Sequence, residues 1–218
     1  QVPYYIGQHG NNYFAQIHNS YLAELKYCDR FISWGVAKNN HNISAFNFKS
    51  IGKNYIFRPK GKLIIFLGPS NNKHSEIHKN EEGELNNVRS IVKIIKLLNP
   101  DIKKNTILRF HDYTYKTLGT KYTNFFKDLG VEFDDGSKKA QYLLKESRLI
   151  FYAYDSTGIL ENFIINIPTI FFNEKNFVQS INDEYCDKYE VLLKNKIMFT
   201  KEESIADHIN MNWNNIEN

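Results

Sequence analysis

The sequence predicts an α/β fold: a Rossmann-like, mostly parallel sheet with flanking helices. Three observations predict it. Short apolar runs such as "KLIIFLG" (62–68) and "RLIFYAY" (148–154) alternate with longer segments of helical periodicity. One of those segments, "ELNNVRSIVKIIKLLN" (84–99), carries Val88, Ile91, Ile94, Ile95 and Leu98 on one helical face. Polar turns punctuate each change of period, and strand–helix alternation of this kind builds a parallel sheet.

In chain order, "PYYIGQ" reads as a short strand ending at His9-Gly10, "SYLAELKYC" as a helix and "RFISWG" as a strand. Residues 36–60 are polar with aromatic patches and give no assignable pattern. "KLIIFLG" is a buried strand, and Pro100 stops the amphipathic helix that follows it. "NTILRFH" is the next strand. "TKYTNFFKDLG" is a helix with Gly130 as its C-cap. "VEFDDG", "RLIFYAY" and "PTIFF" read as strands, separated by helices in "SKKAQYLLKES" and "TGILENFIIN". "INDEYCDKYEVLLKN" is a helix, "KIMFT" an edge strand and "KEESIADHINMNW" a terminal helix. Thr200 and Glu203 are spaced as a capping box for that last helix.

Composition bounds the function classes. With 218 residues, 42% of them hydrophobic, the chain can bury a full core, and 1–218 is expected to be one domain. A net charge of +4 with dispersed lysines does not indicate a nucleic-acid partner. Cys28 and Cys186 form neither a metal-spaced pair nor a disulfide framework, so a reducing, cytoplasmic setting is expected. No apolar run approaches the ~18 residues needed to span a bilayer, so membrane contact is expected to be at most peripheral, at the inner face. The opening "QVPYYIGQHG" lacks Met, and the chain is expected to be a piece of a longer protein.

Three motif matches fail. "GPSNNKHS" has Asn72 where a phosphate loop needs its second glycine, "HSEIH" sets Glu76 one place late for a zinc-protease helix, and no GxGxxG is present. No metal and no cofactor are therefore expected, and a dinucleotide-type fold is disfavoured. The candidates that survive lie at strand ends, where open parallel sheets bind ligands. Arg109 and His111 in "ILRFHDY" share a face and suit a phosphate. In "DSTGILE", Ser156 or Thr157 can cap a helix whose N-terminus attracts anions. Gly158 there would allow close approach of a ligand, and Glu161 could accept from ribose hydroxyls. Asp155 reads as a turn residue. His9 in "QHG" has the chemistry of a general base. Each has an ordinary structural explanation alone; together they fit a nucleotide phosphate leaving group.

The order of these motifs adds a family. "QHG", the helix with Glu24 leading to "DRFISWG", then "RFH", then "DSTGILEN…NIPTIFF" resembles the C-terminal part of transferases from bacterial O-antigen and surface-polysaccharide loci. It is similar, more distantly, to the GT-B superfamily that includes teichoic-acid glycerophosphotransferases and polysialyltransferases. The sequence departs from that pattern at Asn11, Phe14, Val36 and Asp112. The resemblance implies the donor-binding half of a GT-B glycosyltransferase. His111, Ser156 and Thr157 would then meet donor phosphate, Glu161 would sit near the nucleotide sugar, and His9 would be the base. The implied partners are a nucleotide-activated sugar, a glycan or lipid-linked acceptor, and an N-terminal domain of the same protein. A transferase of polyol phosphate from a cytidine-diphosphate donor, or a non-catalytic nucleotide- or glycan-binding module, are the alternatives.

Overall fold

A computed structural model describes residues 2–17, 22–35, 39–45, 52–68, 81–174 and 179–216. The chain begins with β1 (Tyr5–Gly7), α1 (Asn12–Ala15), α2 (Leu22–Tyr27), β2 (Arg30–Trp34) and β3 (Asn42–Ala45). These strands pair in parallel in the order β1-β2-β3. Alternation along β2 turns Phe31 inward, where it packs with Tyr13 and Cys28 and is flanked by Ile6, Phe14 and Leu25. The opposite face of this small sheet carries Tyr5 and Ile43, which are 52% and 41% exposed.

The rest of the chain builds a second sheet. Its elements are β4 (Lys62–Phe66), α3 (Glu81–Leu97), α4 (Pro100–Lys104), β5 (Thr106–Arg109), α5 (Asp112–Phe126), β6 (Glu132–Asp134) and α6 (Ala140–Leu144). They continue with β7 (Ser147–Tyr152), α7 (Thr157–Ile164), β8 (Thr169–Phe172), α8 (Asp183–Lys194), β9 (Met198–Phe199) and α9 (Glu202–Asn212). Every pairing is parallel, in the order β6-β5-β4-β7-β8-β9. Counted from β4, that is 3-2-1-4-5-6, the doubly wound order of dinucleotide-binding folds. The missing glycine fingerprint had argued against this order. The fingerprint is a property of one loop, whereas strand order follows from where helices cover the sheet.

Central strands of such a sheet are covered on both faces, and β4 shows it residue by residue. Leu63 and Ile65 face a core built with Ile91, Ile94 and Ile95 of α3 and Ile205 and Ile209 of α9. Ile64 and Phe66 face the other core, with Ile150, Tyr152, Ile159 and Phe171. Burying each such side chain contributes about 1.5–3 kcal/mol.

Several sequence expectations change. Strands β1–β3 do not extend the large sheet but form their own, so the described residues hold two parallel sheets and not one. The segment 36–60 hides β3. Pro100 does not merely follow a helix end; it is the first residue of α4, where its missing N–H costs nothing. Helix α5 begins at Asp112, so His111 is its N-cap rather than part of a loop. The last helix is capped by Lys201 without a side-chain bond, and Glu203 pairs instead with Lys93 at 2.7 Å. Both cysteines are free thiols. Residues 69–75 of the segment compared with a phosphate loop, the segment compared with a zinc-protease helix, and Val36 lie outside the described residues.

Candidate active site

The order of the large sheet reverses between β4 and β7, and ligands of such folds bind in the crevice beyond that switch point. Strand β7 leads there into Tyr154-Asp155-Ser156 and the N-terminus of α7. The loop after β1, from the small sheet, meets this turn. The Asn11 amide N–H donates to Thr157 Oγ1 at 3.3 Å, and the Asn11 side-chain amide donates to Asp155 Oδ1 at 2.7 Å. A methyl group on Gly10 would stand 3.3 Å from Thr157 Oγ1, so the small residue permits the contact. Gln8 holds the loop in shape: its side chain donates to the Gly10 carbonyl at 2.7 Å and accepts from the Trp34 amide at 2.8 Å.

Further along the seam, Asn182 at the start of α8 donates through its side chain to the Phe14 carbonyl at 2.5 Å and through its backbone to Ala15 at 2.8 Å. Asp155 is the knot of this arrangement. Besides Asn11, its carboxylate accepts from the Tyr189 hydroxyl of α8 at 2.8 Å. Burial pushes the Asp155 carboxyl above its ordinary pKa, against the opposing hydrogen bonds from Tyr189 and Asn11. The same burial, with Asp155 beside it, pushes the Tyr189 phenol up. The turn residue of the sequence reading is therefore a bridge between the two sheets.

Ser156 caps α7, with its hydroxyl accepting from the Gly158 amide at 3.2 Å and donating to the Tyr154 hydroxyl at 3.3 Å. Thr157 is the first helical residue and is turned toward Asn11. Gly158 has a different purpose from the one expected. A Cβ there would stand 2.2 Å from the Tyr152 hydroxyl, so the glycine makes room for a buried phenol, not for a ligand. Burial and the neighbouring Tyr154 and Glu161 push that phenol above its usual pKa. Glu161 stands one turn into α7 on a half-buried face.

His9 lies one residue before this contact, with its side chain 55% exposed. Its Nδ1 is hydrogen-bonded to the Tyr13 hydroxyl, and that hydroxyl donates to Glu24 Oε2 at 2.5 Å. Tyr13 is 2% exposed and meets the imidazole edge to face, with ring centroids 5.2 Å apart.

Arg109 is not available to a phosphate. It is buried, and its guanidinium pairs with Asp134 and donates to the carbonyls of Gly136 and Lys138, the latter at 2.5 Å. Gly136, at φ +80, packs so closely under Phe110 and Asp112 that a Cβ would meet the Phe110 oxygen at 2.5 Å. Across the strand ends Arg109, Phe66 and Tyr152 stand in register. The guanidinium lies 5.9 Å from the Phe66 ring, which stacks on Tyr152 at 4.9 Å. The arginine is thus part of the floor under α7. His111 is exposed on the same sheet edge, but β5 is two strands from β7, roughly 10 Å away.

The structure therefore brings the loop that carries His9, through Gly10 and Asn11, against Asp155 and Thr157, keeps His111 at the rim, and removes Arg109. Sequence reasoning missed Gln8, Asn11, Tyr13, Asp155 and Tyr189. Only Tyr13 left a local signal, as an aromatic four residues beyond His9 at helical spacing; the others depend on contacts between distant segments. Among the described residues no group of three His, Cys, Asp or Glu is arranged to hold a metal ion, and no helix is long and apolar enough to cross a membrane.

No curated protein matches the chain. Among solved structures it is similar to the crystal structure of TarM, with a TM-score of 0.54 at 13% identity, covering 98% of this chain and 44% of that one. The likeness at that identity is one of fold, and the chain spans less than half of TarM's length. The profile of the LIC12162 family of transferases matches residues 1–218. The chain belongs to the LIC12162 family of transferases.

Proposed function

We propose that the chain contains the donor-binding part of a GT-B-type glycosyltransferase that uses a nucleotide-activated sugar, in the synthesis of a surface polysaccharide. One observation carries the reading: the N-terminus of α7 lies at the switch point of a 3-2-1-4-5-6 sheet and is faced by the His9 loop of a second sheet. An anion held there would meet the positive end of the α7 dipole and the Thr157 hydroxyl. His111 at the rim and Glu161 on α7 are the nearest of the remaining candidates for the rest of the nucleotide. The fold shared with TarM and the membership of a transferase family support a transferase reading.

In this reading the large sheet is the donor domain, and the small sheet belongs to an opposing, acceptor-side lobe. Its face bearing Tyr5 and Ile43 supports that assignment, because parallel sheets are ordinarily covered on both sides. The acceptor hydroxyl oxygen attacks the anomeric carbon of the donor. The bond from that carbon to the phosphate oxygen breaks, and its electron pair leaves with the phosphate. The hydroxyl proton passes to His9. The α7 N-terminus stabilises the negative charge that develops on the leaving group, which is where electrostatic catalysis has most effect.

Titration calorimetry with cytidine and uridine diphosphates tests the reading. Binding that weakens in the double variant Ser156→Ala, Thr157→Ala supports it, and absence of binding by every such nucleotide overturns it. Analysis of the product for phosphate in the new linkage separates sugar transfer from transfer of a polyol phosphate.

A further inference from the structure

We infer that Tyr13 and Glu24 are positioning residues for His9, forming a Glu24–Tyr13–His9 relay that fixes which imidazole nitrogen takes up a proton; the inference rests on His9 being the base proposed above. A tyrosine hydroxyl has one proton to give. Glu24 accepts it at 2.5 Å, so the hydrogen bond between Tyr13 and His9 must run the other way, from His9 Nδ1–H to the tyrosine oxygen. That requirement selects the neutral tautomer with its proton on Nδ1, which leaves the lone pair on Nε2 to act as the base.

The surroundings enforce the selection. Tyr13 is 2% exposed and is held from below by Phe31, ring centroids 5.1 Å apart, so its hydroxyl cannot turn to solvent without leaving the small core. Glu24 comes from α2 and meets the same tyrosine hydroxyl, with its Oε2 3.7 Å from His9 Nδ1. When the acceptor hydroxyl passes its proton to Nε2, the imidazolium that forms keeps its Nδ1–H bond to Tyr13. Its new positive charge then lies beside the Glu24 carboxylate. Water later removes the proton from Nε2 and restores the starting tautomer. The buried phenol links the carboxylate to the imidazole through two hydrogen bonds. Glu24 and Tyr13 thus act through His9 and not on the substrate.

Nitrogen-15 spectra of the histidines, with His9 assigned from the His9→Ala variant, test the relay without any substrate. The relay predicts that neutral His9 in the wild-type protein is protonated at Nδ1. In Tyr13→Phe the preference for Nδ1–H disappears, and kcat for transfer falls on the order of 10²-fold with KM unchanged, the scale of a lost acid–base contribution. Glu24→Gln keeps an oxygen acceptor for the tyrosine, so it retains the tautomer and loses less kcat than Tyr13→Phe. A wild-type His9 protonated at Nε2, or a tautomer unchanged in a folded Tyr13→Phe protein, overturns the relay. The calorimetry described above decides the donor-site reading separately, because it does not depend on the protonation of His9.

Discussion

The ends of β5 and β7 look alike as sequence and behave differently as structure. Each carries an apolar strand into a polar turn, and each offers residues suited to a phosphate: Arg109 and His111 after one, Ser156 and Thr157 after the other. At β5 the arginine is consumed within its own sheet by Asp134 and two carbonyls of the following turn. At β7 the turn is bonded across to a loop from the other sheet. Residue chemistry was equal in the two places; strand order was not. Of the two, β7 but not β5 flanks the switch point, where two neighbouring connections leave to opposite faces and open a crevice.

The largest predicted effect breaks the comparison at its structural end. Arg109→Ala leaves the half-buried Asp134 without its cation and should cost about 3 kcal/mol in urea unfolding. Nucleotide affinity of the folded fraction should be unchanged. A stable variant that has lost nucleotide binding would show that the two strand ends are equivalent after all. Asp155→Ala comes next, because it strips the acceptor from the Asn11 amide and the Tyr189 hydroxyl together. A loss of about 2–3 kcal/mol is expected, with faster hydrogen exchange in α1, which the seam holds in place. Unaltered exchange there would mean that Asp155 does not join the sheets.

Ser156→Ala sharpens the comparison at the other end. Removing a cap should cost about 1 kcal/mol, and Ser156→Asp should restore it, since a carboxylate caps equally well. Failure of aspartate to restore stability would assign the hydroxyl's bond to Tyr154 the larger share.

The smallest effect lies away from both ends. Burial, reinforced by Lys196, lowers the pKa of His208 below its ordinary 6.5. The unfolded chain therefore takes up that proton first, and stability falls as pH drops from about 6.5 through the folded value. His208→Gln should flatten the stability profile across that window. A profile identical to the wild type would show that His208 is not the group responsible.

How much of this was legible in the sequence follows from the range of the contacts involved. The strands and helices from β4 onward were readable because Ile91, Ile94 and Ile95, or Leu149 and Ile150, repeat locally with the period of their element. The separate small sheet was not, because β3 is a short polar strand, "NISA", whose pairing is set by β2 and not by its own pattern. At the site, the cap at Ser156 was readable because capping is decided within three residues. The fate of Arg109 was not, since its partners are 25 to 29 residues away. Gly158 misled for the same reason: glycine signals a close approach, and only the fold reveals that the approaching group is Tyr152.

A nucleotide diphosphate is proposed to bind where the His9 loop meets α7. The chain has only 11 glycines, and two of them, Gly10 and Gly158, flank that contact. Amide spectra of the protein labelled with nitrogen-15 at glycine alone, recorded during titration with uridine or cytidine diphosphate, therefore test it directly. The account predicts saturable shifts at Gly10 and Gly158, with Gly61 and Gly130 unmoved. Saturable shifts confined to other glycines, or none at any, would contradict it.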